Sequence, residues 1–265
     1  MESTDACANC GLPSISNPQK HCHGCGQAVP VSRIDWAFMR NELSQSVLQI
    51  ERGTLFTLKA LFTRPGHFLR EYLQGKRAGH VKPLPLLMLS AAATLIVAKF
   101  TLQGVLIDAD LSEQAHATLG DATRQQSLAI ATLTAKFNQA QAWANENLTL
   151  TTLIMLPFEA AAFKVAFGRR AKLNYPEWLV VTSYLTVQTF VVWSFILVFQ
   201  MAWPTAKHLL LPASLAIALL TLLQLFNTIP KWNISLRTML GFLMLEVFIA
   251  GATLGAAVVL SLLYR

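Results

Sequence analysis

Five apolar runs, each long enough to cross a lipid bilayer, constrain this chain more than anything else in it. A helix needs about twenty apolar residues to span the hydrocarbon core. Such runs lie at roughly 84–103, 148–167, 178–202, 208–229 and 237–263. Composition agrees: 54% of residues are hydrophobic and 13% charged, against about a quarter charged in soluble domains. Pro157, Glu159 and Lys164 make the second run the weakest, so the alternative is four spans with 148–167 re-entrant or lying on the surface. The expected fold is an all-α polytopic membrane protein, with the transmembrane domain over 84–265. An outer loop, 104–147, separates the first two spans, and its alanine-rich stretch from Gln125 to Trp143 favours helix.

Loop charge sets the orientation, because Lys and Arg are in excess on the cytoplasmic side. Ten of the 21 Lys and Arg lie between Lys20 and Lys82, ahead of the first span. The loop 104–147 carries Asp108, Asp110, Glu113, Asp121 and Glu146 against Arg124 and Lys136. Arg169, Arg170 and Lys172 then return to the inside, as do Lys231 and Arg237. Five spans with the N-terminus in and the C-terminus out satisfy every loop. Trp178, Trp203, Trp232 and Tyr264 fall near span boundaries, where amphipathic rings prefer the interface. The formal charge of +7 follows from this arrangement. No nucleic-acid-binding motif accompanies it, and no nucleic acid is expected as a partner.

All four cysteines lie before the spans, as Cys7-Ala-Asn-Cys10-Gly11 and Cys22-His-Gly-Cys25-Gly26. The first thirty residues are polar, unlike a secretory signal, so these thiols are expected in the reducing cytosol. Two Cys-x-x-Cys turns supply the four soft ligands of a tetrahedral structural zinc site. The glycine after each pair can take positive φ and turn backbone amides toward the sulfurs. His21 and His23 flank Cys22, but four cysteines already fill the shell. A redox dithiol or simply free thiols are the alternatives, although the βαβ context usual for a redox pair is missing. Residues 7–27 resemble the short zinc ribbon of many bacterial proteins, and a ribbon domain is expected over 1–30 with Zn2+ on Cys7, Cys10, Cys22 and Cys25. So small a unit depends on its metal to fold.

Between ribbon and spans, 31–83 shows helical periodicity. Trp36, Met39, Leu43, Val47 and Ile50 form one stripe, Leu55, Leu58, Leu61 and Phe62 a second, and Phe68, Leu69, Tyr72 and Leu73 a third. Helices with a basic polar face tend to lie in the headgroup plane. Arg64, Arg70, Lys76 and Arg77 are thus candidate contacts to anionic lipid, with packing against the spans as the alternative. His67 and His80 fall on the same basic face.

The phrases Cys25-Gly26-Gln27, Thr54-Leu-Phe-Thr-Leu-Lys59, Arg64-Pro65-Gly66, Tyr72-x-x-Gly75-Lys76-Arg77 and Lys82-Pro83 stand in one order. In this the chain resembles an uncharacterised bacterial membrane family, domain of unknown function 3667, over about residues 7–90. The resemblance implies a ribbon joined to spans in a bacterial inner membrane, and no assigned activity.

Ionisable residues within spans are functional candidates by default. Glu159 and Glu246 fall at similar depth, some 13–15 Å from the cytoplasmic boundary at about 1.5 Å per residue, and Lys164 is within reach of Glu159. One reading is a proton- or cation-linked site between helices, helped by a backbone carbonyl freed at Pro157. The other is a structural tie, with each carboxyl protonated or bonded to Lys164, Gln188, Gln224 or Asn227. No Ser-His-Asp set, phosphate loop or His-Glu-x-x-His motif occurs, so no enzyme is expected. The function read from the sequence is an adaptor or assembly factor presenting its ribbon to a protein partner. The runner-up is a small transporter or channel using the glutamates, and five spans would make it a homo-oligomer.

Overall fold

The structure is a computed structural model that describes residues 6–13, 21–29, 31–45, 53–102 and 124–263. Nine α-helices occur among them: α1 (Trp36–Gln45), α2 (Thr54–Thr63), α3 (Pro65–Leu73), α4 (Pro83–Leu102), α5 (Arg124–Glu146), α6 (Leu148–Phe167), α7 (Tyr175–Gln200), α8 (Leu210–Leu225) and α9 (Lys231–Leu263). Five helical segments are long and apolar enough to cross a membrane: Pro83–Thr101, Leu148–Ala171, Tyr175–Gln200, Pro204–Leu225 and Lys231–Ile249. The chain is an all-helical, membrane-spanning protein. Helix is what such runs form, because lipid offers no partner for an unpaired backbone group. Met88, Phe100, Ile154, Phe195, Leu211 and Val247 turn outward from the bundle, as a lipid-facing surface requires.

The central helix is α7. It packs against α4, α6 and α8, and α9 closes the bundle across α6 and α8. Its start is specified locally. Asn174 accepts from the Glu177 N–H at 2.8 Å, and the Glu177 carboxylate accepts from the Asn174 N–H at 2.7 Å. Pro176 sits in the first turn, where its missing N–H costs nothing. This capping box starts the helix three residues ahead of the expected span. Trp178 consequently points into the core, fully buried against Phe163, Phe167 and Phe226, and not to an interfacial belt. Trp203 and Trp232 are exposed; Tyr264 lies outside the described residues.

The last span also begins earlier than its apolar run. Helix α9 starts at Lys231, directly after Pro230, and Arg237 stands inside it instead of in a loop. Its Nε donates to Asn233 Oδ1 at 2.5 Å, and its Nη1 donates to the carbonyl of Ala166, in the last turn of α6. A cation that marks a boundary in the sequence thus closes the end of a neighbouring helix. The segment 148–167 forms one helix through Pro157. Of the loop 104–147, α5 covers the alanine-rich part, while 103–123 lie outside the described residues.

Ahead of the spans, α2 and α3 pack into the bundle. Leu61, Phe68, Leu69 and Tyr72 are buried in the same core as Trp178 and Tyr184. Helix α3 lies against α8, and α2 touches α7. The buried side chain of Gln188, roughly 20 Å along α7 from its first residue, donates to the Leu61 carbonyl at 2.9 Å and accepts from Thr221 at 3.0 Å. One amide therefore joins α2, α7 and α8.

Candidate metal centre

Two turns with the same backbone bonding carry the cysteines. Antiparallel bridges Ala6–Pro13 and His21–Ala28 close them. In the first, the Cys7 N–H donates to Leu12 O and the Gly11 N–H to Cys7 O, both at 2.8 Å. In the second, Cys22 N–H reaches Gln27 O at 2.7 Å and Gly26 N–H reaches Cys22 O at 2.9 Å. Gly11 and Gly26 have φ of 73° and 71°, the left-handed conformation that the turn demands and a β-carbon disfavours. The turns are also stacked. A β-carbon on Gly24 would lie 2.2 Å from the Leu12 side chain.

This stacking gathers all four Sγ atoms within 4.8 Å of one another. Cys7 and Cys25 are 3.6 Å apart, as are Cys10 and Cys22. A tetrahedron with metal–sulfur bonds of about 2.3 Å has edges of about 3.8 Å, so the donor set fits one tetrahedral ion. The thiols are not alike. Amides of Cys10 and Asn9 hold the Cys7 thiol down at about 6 and those of Gly24 and Cys25 lower Cys22, whereas burial and the neighbouring sulfurs push Cys10 up to about 12. Four sulfurs leave no open position for a substrate, which marks a structural site. His21 and His23 are exposed and stand outside the cluster.

The ribbon is fastened to the membrane bundle at two points that sequence reading missed. Gln27 is buried, and its Oε1 accepts from the N–H groups of Arg77 and Ala78 at 3.2 and 2.8 Å. Beside it Val31 fills the place of a β-carbon on Gly75, whose φ is 104°. The second point is Arg33, whose Nε and Nη2 hold the two Glu177 oxygens at 2.6 and 2.8 Å. That carboxylate raises the Arg33 pKa, and Asn174 Nδ2 donates to the Ile34 carbonyl at 2.8 Å. Glu177 thus caps α7 and anchors the linker at once.

Residues 51–95 match the family described as protein of unknown function (DUF3667). The resemblance read from the sequence phrases is therefore shown over this segment. No curated protein and no solved structure matches the chain. The matched segment runs from α2 through the Gly75-Lys76-Arg77 turn into α4, and its phrases are joints of the fold. Gly66 meets α8 backbone to backbone: a β-carbon there would stand 2.4 Å from the Gln224 carbonyl carbon and Leu225 nitrogen. The Gly66 N–H donates to Gln224 Oε1 at 3.2 Å. Arg70 Nη2 donates to the Gln224 and Leu225 carbonyls at 2.5 and 2.9 Å, capping α8. Arg77 donates to Tyr72 O and Ser32 O and lies 4.5 Å from the Phe38 ring centroid. Of the four cations expected at headgroups, Arg70 and Arg77 thus serve the protein's own carbonyls. Arg64 and Lys76 are exposed, Lys76 beside Glu71 at 3.5 Å.

The intramembrane charges are not gathered into one site. Glu159 accepts from Thr186 on α7 at 3.1 Å. Lys164 makes no ion pair with it and lies 5.6 Å over the Tyr175 ring. Glu246 is exposed on α9, and no hydrogen bond or ion pair joins it to another of the described residues. The carbonyl of Pro157 accepts from the Tyr175 hydroxyl at 2.8 Å. Gln188 and Gln224, both considered as partners for the glutamates, are bonded to Leu61, Thr221 and Gly66 instead, and Asn227 is exposed.

Proposed function

We propose that the protein is a non-enzymatic adaptor or assembly factor that presents a zinc-loaded ribbon to a protein partner on the cytoplasmic face of the bacterial inner membrane. One observation carries this reading: the four-cysteine turns are clamped to the bundle through Gln27 and Arg33. A ribbon held this way offers a partner a surface already fixed relative to the bilayer, which lowers the ordering cost of binding. Its free face is small and mixed, with Ala8, Leu12, Pro13, His21 and His23 all exposed. Zn2+ is the ion that four thiolates in a tetrahedron favour. The positive-inside bias supports the N-in, C-out orientation.

The test has two readouts on wild type and on Cys22→Ser/Cys25→Ser at matched membrane levels. Elemental mass spectrometry of purified protein should find one zinc per wild-type chain and none in the variant. Cross-linking in native membranes should capture a partner with the wild type alone. Equal capture by both, or by neither, overturns the adaptor reading.

A further inference from the structure

Where α6 turns into α7, a cleft of about 600 Å³ opens, lined by Ala161, Lys164, Val165, Arg169, Lys172 and Tyr175, among others. Its chemistry is divided. Three cations stand on the wall with no carboxylate, while Ala161, Val165 and Leu173 make the remainder apolar. The nearby acids are engaged elsewhere: Glu177 is held by Arg33 and Glu159 accepts from Thr186. Nothing among the described residues forms an ion pair with Lys164, Arg169 or Lys172. Lys164 is steadied over the Tyr175 ring at 5.6 Å. Lys172 is held in the left-handed region at φ 54°, with its carbonyl accepting from Arg33 Nη2.

The geometry points to a binding site for one anionic phospholipid, its phosphate between Lys164, Arg169 and Lys172 and its acyl chain along Ala161 and Val165. The cleft sits beside the turn that joins the candidate spans Leu148–Ala171 and Tyr175–Gln200. A free phosphate ester would use the cations and leave the apolar wall wet, whereas a lipid occupies both. Basic pockets between spans are where headgroups of this kind bind. Arg170 is the internal control, being exposed in the same turn but not lining the cleft.

Native mass spectrometry of the full-length protein, taken from membranes mixed equally in phosphatidylglycerol and phosphatidylcholine, reads the site directly. One phosphatidylglycerol should stay bound per chain in preference to phosphatidylcholine. Lys164→Gln/Arg169→Gln should weaken retention about 25-fold, at roughly fivefold per cation. Arg170→Gln should leave it unchanged. Val165→Trp, which keeps every cation and fills the apolar wall, should also expel the lipid. If the double variant does not insert, Lys164→Gln alone should show the fivefold loss. Equal retention of the two lipids, an equal loss in Arg170→Gln, or retention by Val165→Trp would overturn the site. Displacement by millimolar glycerol 3-phosphate would overturn the lipid as its ligand and leave a soluble phosphate ester.

Discussion

Individual residues in the segment ahead of the spans turn out to be specialised by their neighbours and not by their side-chain class. His80 is one of several basic residues in the sequence, yet it is half-buried, stacked on Phe56 at 5.2 Å and edge-on to Phe68 at 4.9 Å. Its Nδ1 has no partner among the described residues. Burial therefore lowers its pKa below the ordinary value of 6.5, with the Glu71 and Arg64 charges acting in opposite directions. The folded protein holds this imidazole neutral more strongly than the unfolded chain does. Nothing is lost above pH 6.5, and stability falls as pH drops through the folded-state pKa. His80→Phe keeps the ring stack and removes the titration. Thermal melts in detergent should show the wild type losing more stability than His80→Phe between pH 7 and pH 5. Metal release on acidification affects both proteins alike, so the difference between them isolates His80. Parallel curves would mean that the ring is hydrated enough to protonate freely.

Among the elements, the pair α2–α3 joins the segment ahead of the spans to the bundle. Its stripes predict amphipathic helices, and helices form, but periodicity cannot say whether the apolar face meets lipid or protein. Gln188 ties one side of α2 to the bundle by donating to the Leu61 carbonyl, while Leu55, Phe56 and Phe62 stay exposed. Gln188→Leu would leave that carbonyl and the Thr221 hydroxyl without their partner, a loss of about 1–3 kcal/mol. Hydrogen exchange in α2 should then quicken by roughly 5- to 150-fold, while α6 and α9 keep their rates. Uniform acceleration throughout the bundle would show that Gln188 stabilises the whole fold instead of this joint. The same contrast explains what the sequence reveals. Span length is a one-dimensional property, so the helical segments lie where apolar runs predict them, with shifts where a cap such as Asn174 or a proline such as Pro230 sets the start. The cysteine cluster was equally legible, because Cys-x-x-Cys spacing and the two glycines are local. Pairing across the bundle is not local. Gln188 and Gln224 look like partners for Glu159 and Glu246 by composition, but Thr186, an unremarked hydroxyl in an apolar run, is what meets Glu159. Arg33 and Glu177, 144 residues apart, carry no sequence signal at all.

At the scale of the whole molecule, the phrases that mark the family resemblance join its separate parts. Gln27 of Cys-Gly-Gln bonds the turn at Gly-Lys-Arg, and Gly66 and Arg70 seat α3 under the end of α8. The ribbon, the helices ahead of the spans and the bundle are thereby linked into one path, and rigidity of that path is separable from metal binding. Gln27→Ala/Arg33→Gln removes both clamps and touches no cysteine. It should keep one zinc per chain, since the turns close on their own backbone bonds. Spin labels on Ala8 and Trp232 should report a distance distribution that is narrow in the wild type and broad in the double variant. Partner capture should then fall although the metal stays, because the binding surface must be ordered anew at each encounter. Capture that survives a broadened distribution would make the ribbon a tethered ligand, and the joints would serve the stability of the bundle alone. Capture lost together with zinc would instead show that the clamps help fold the turns, which would place Gln27 and Arg33 within the metal site's own folding unit.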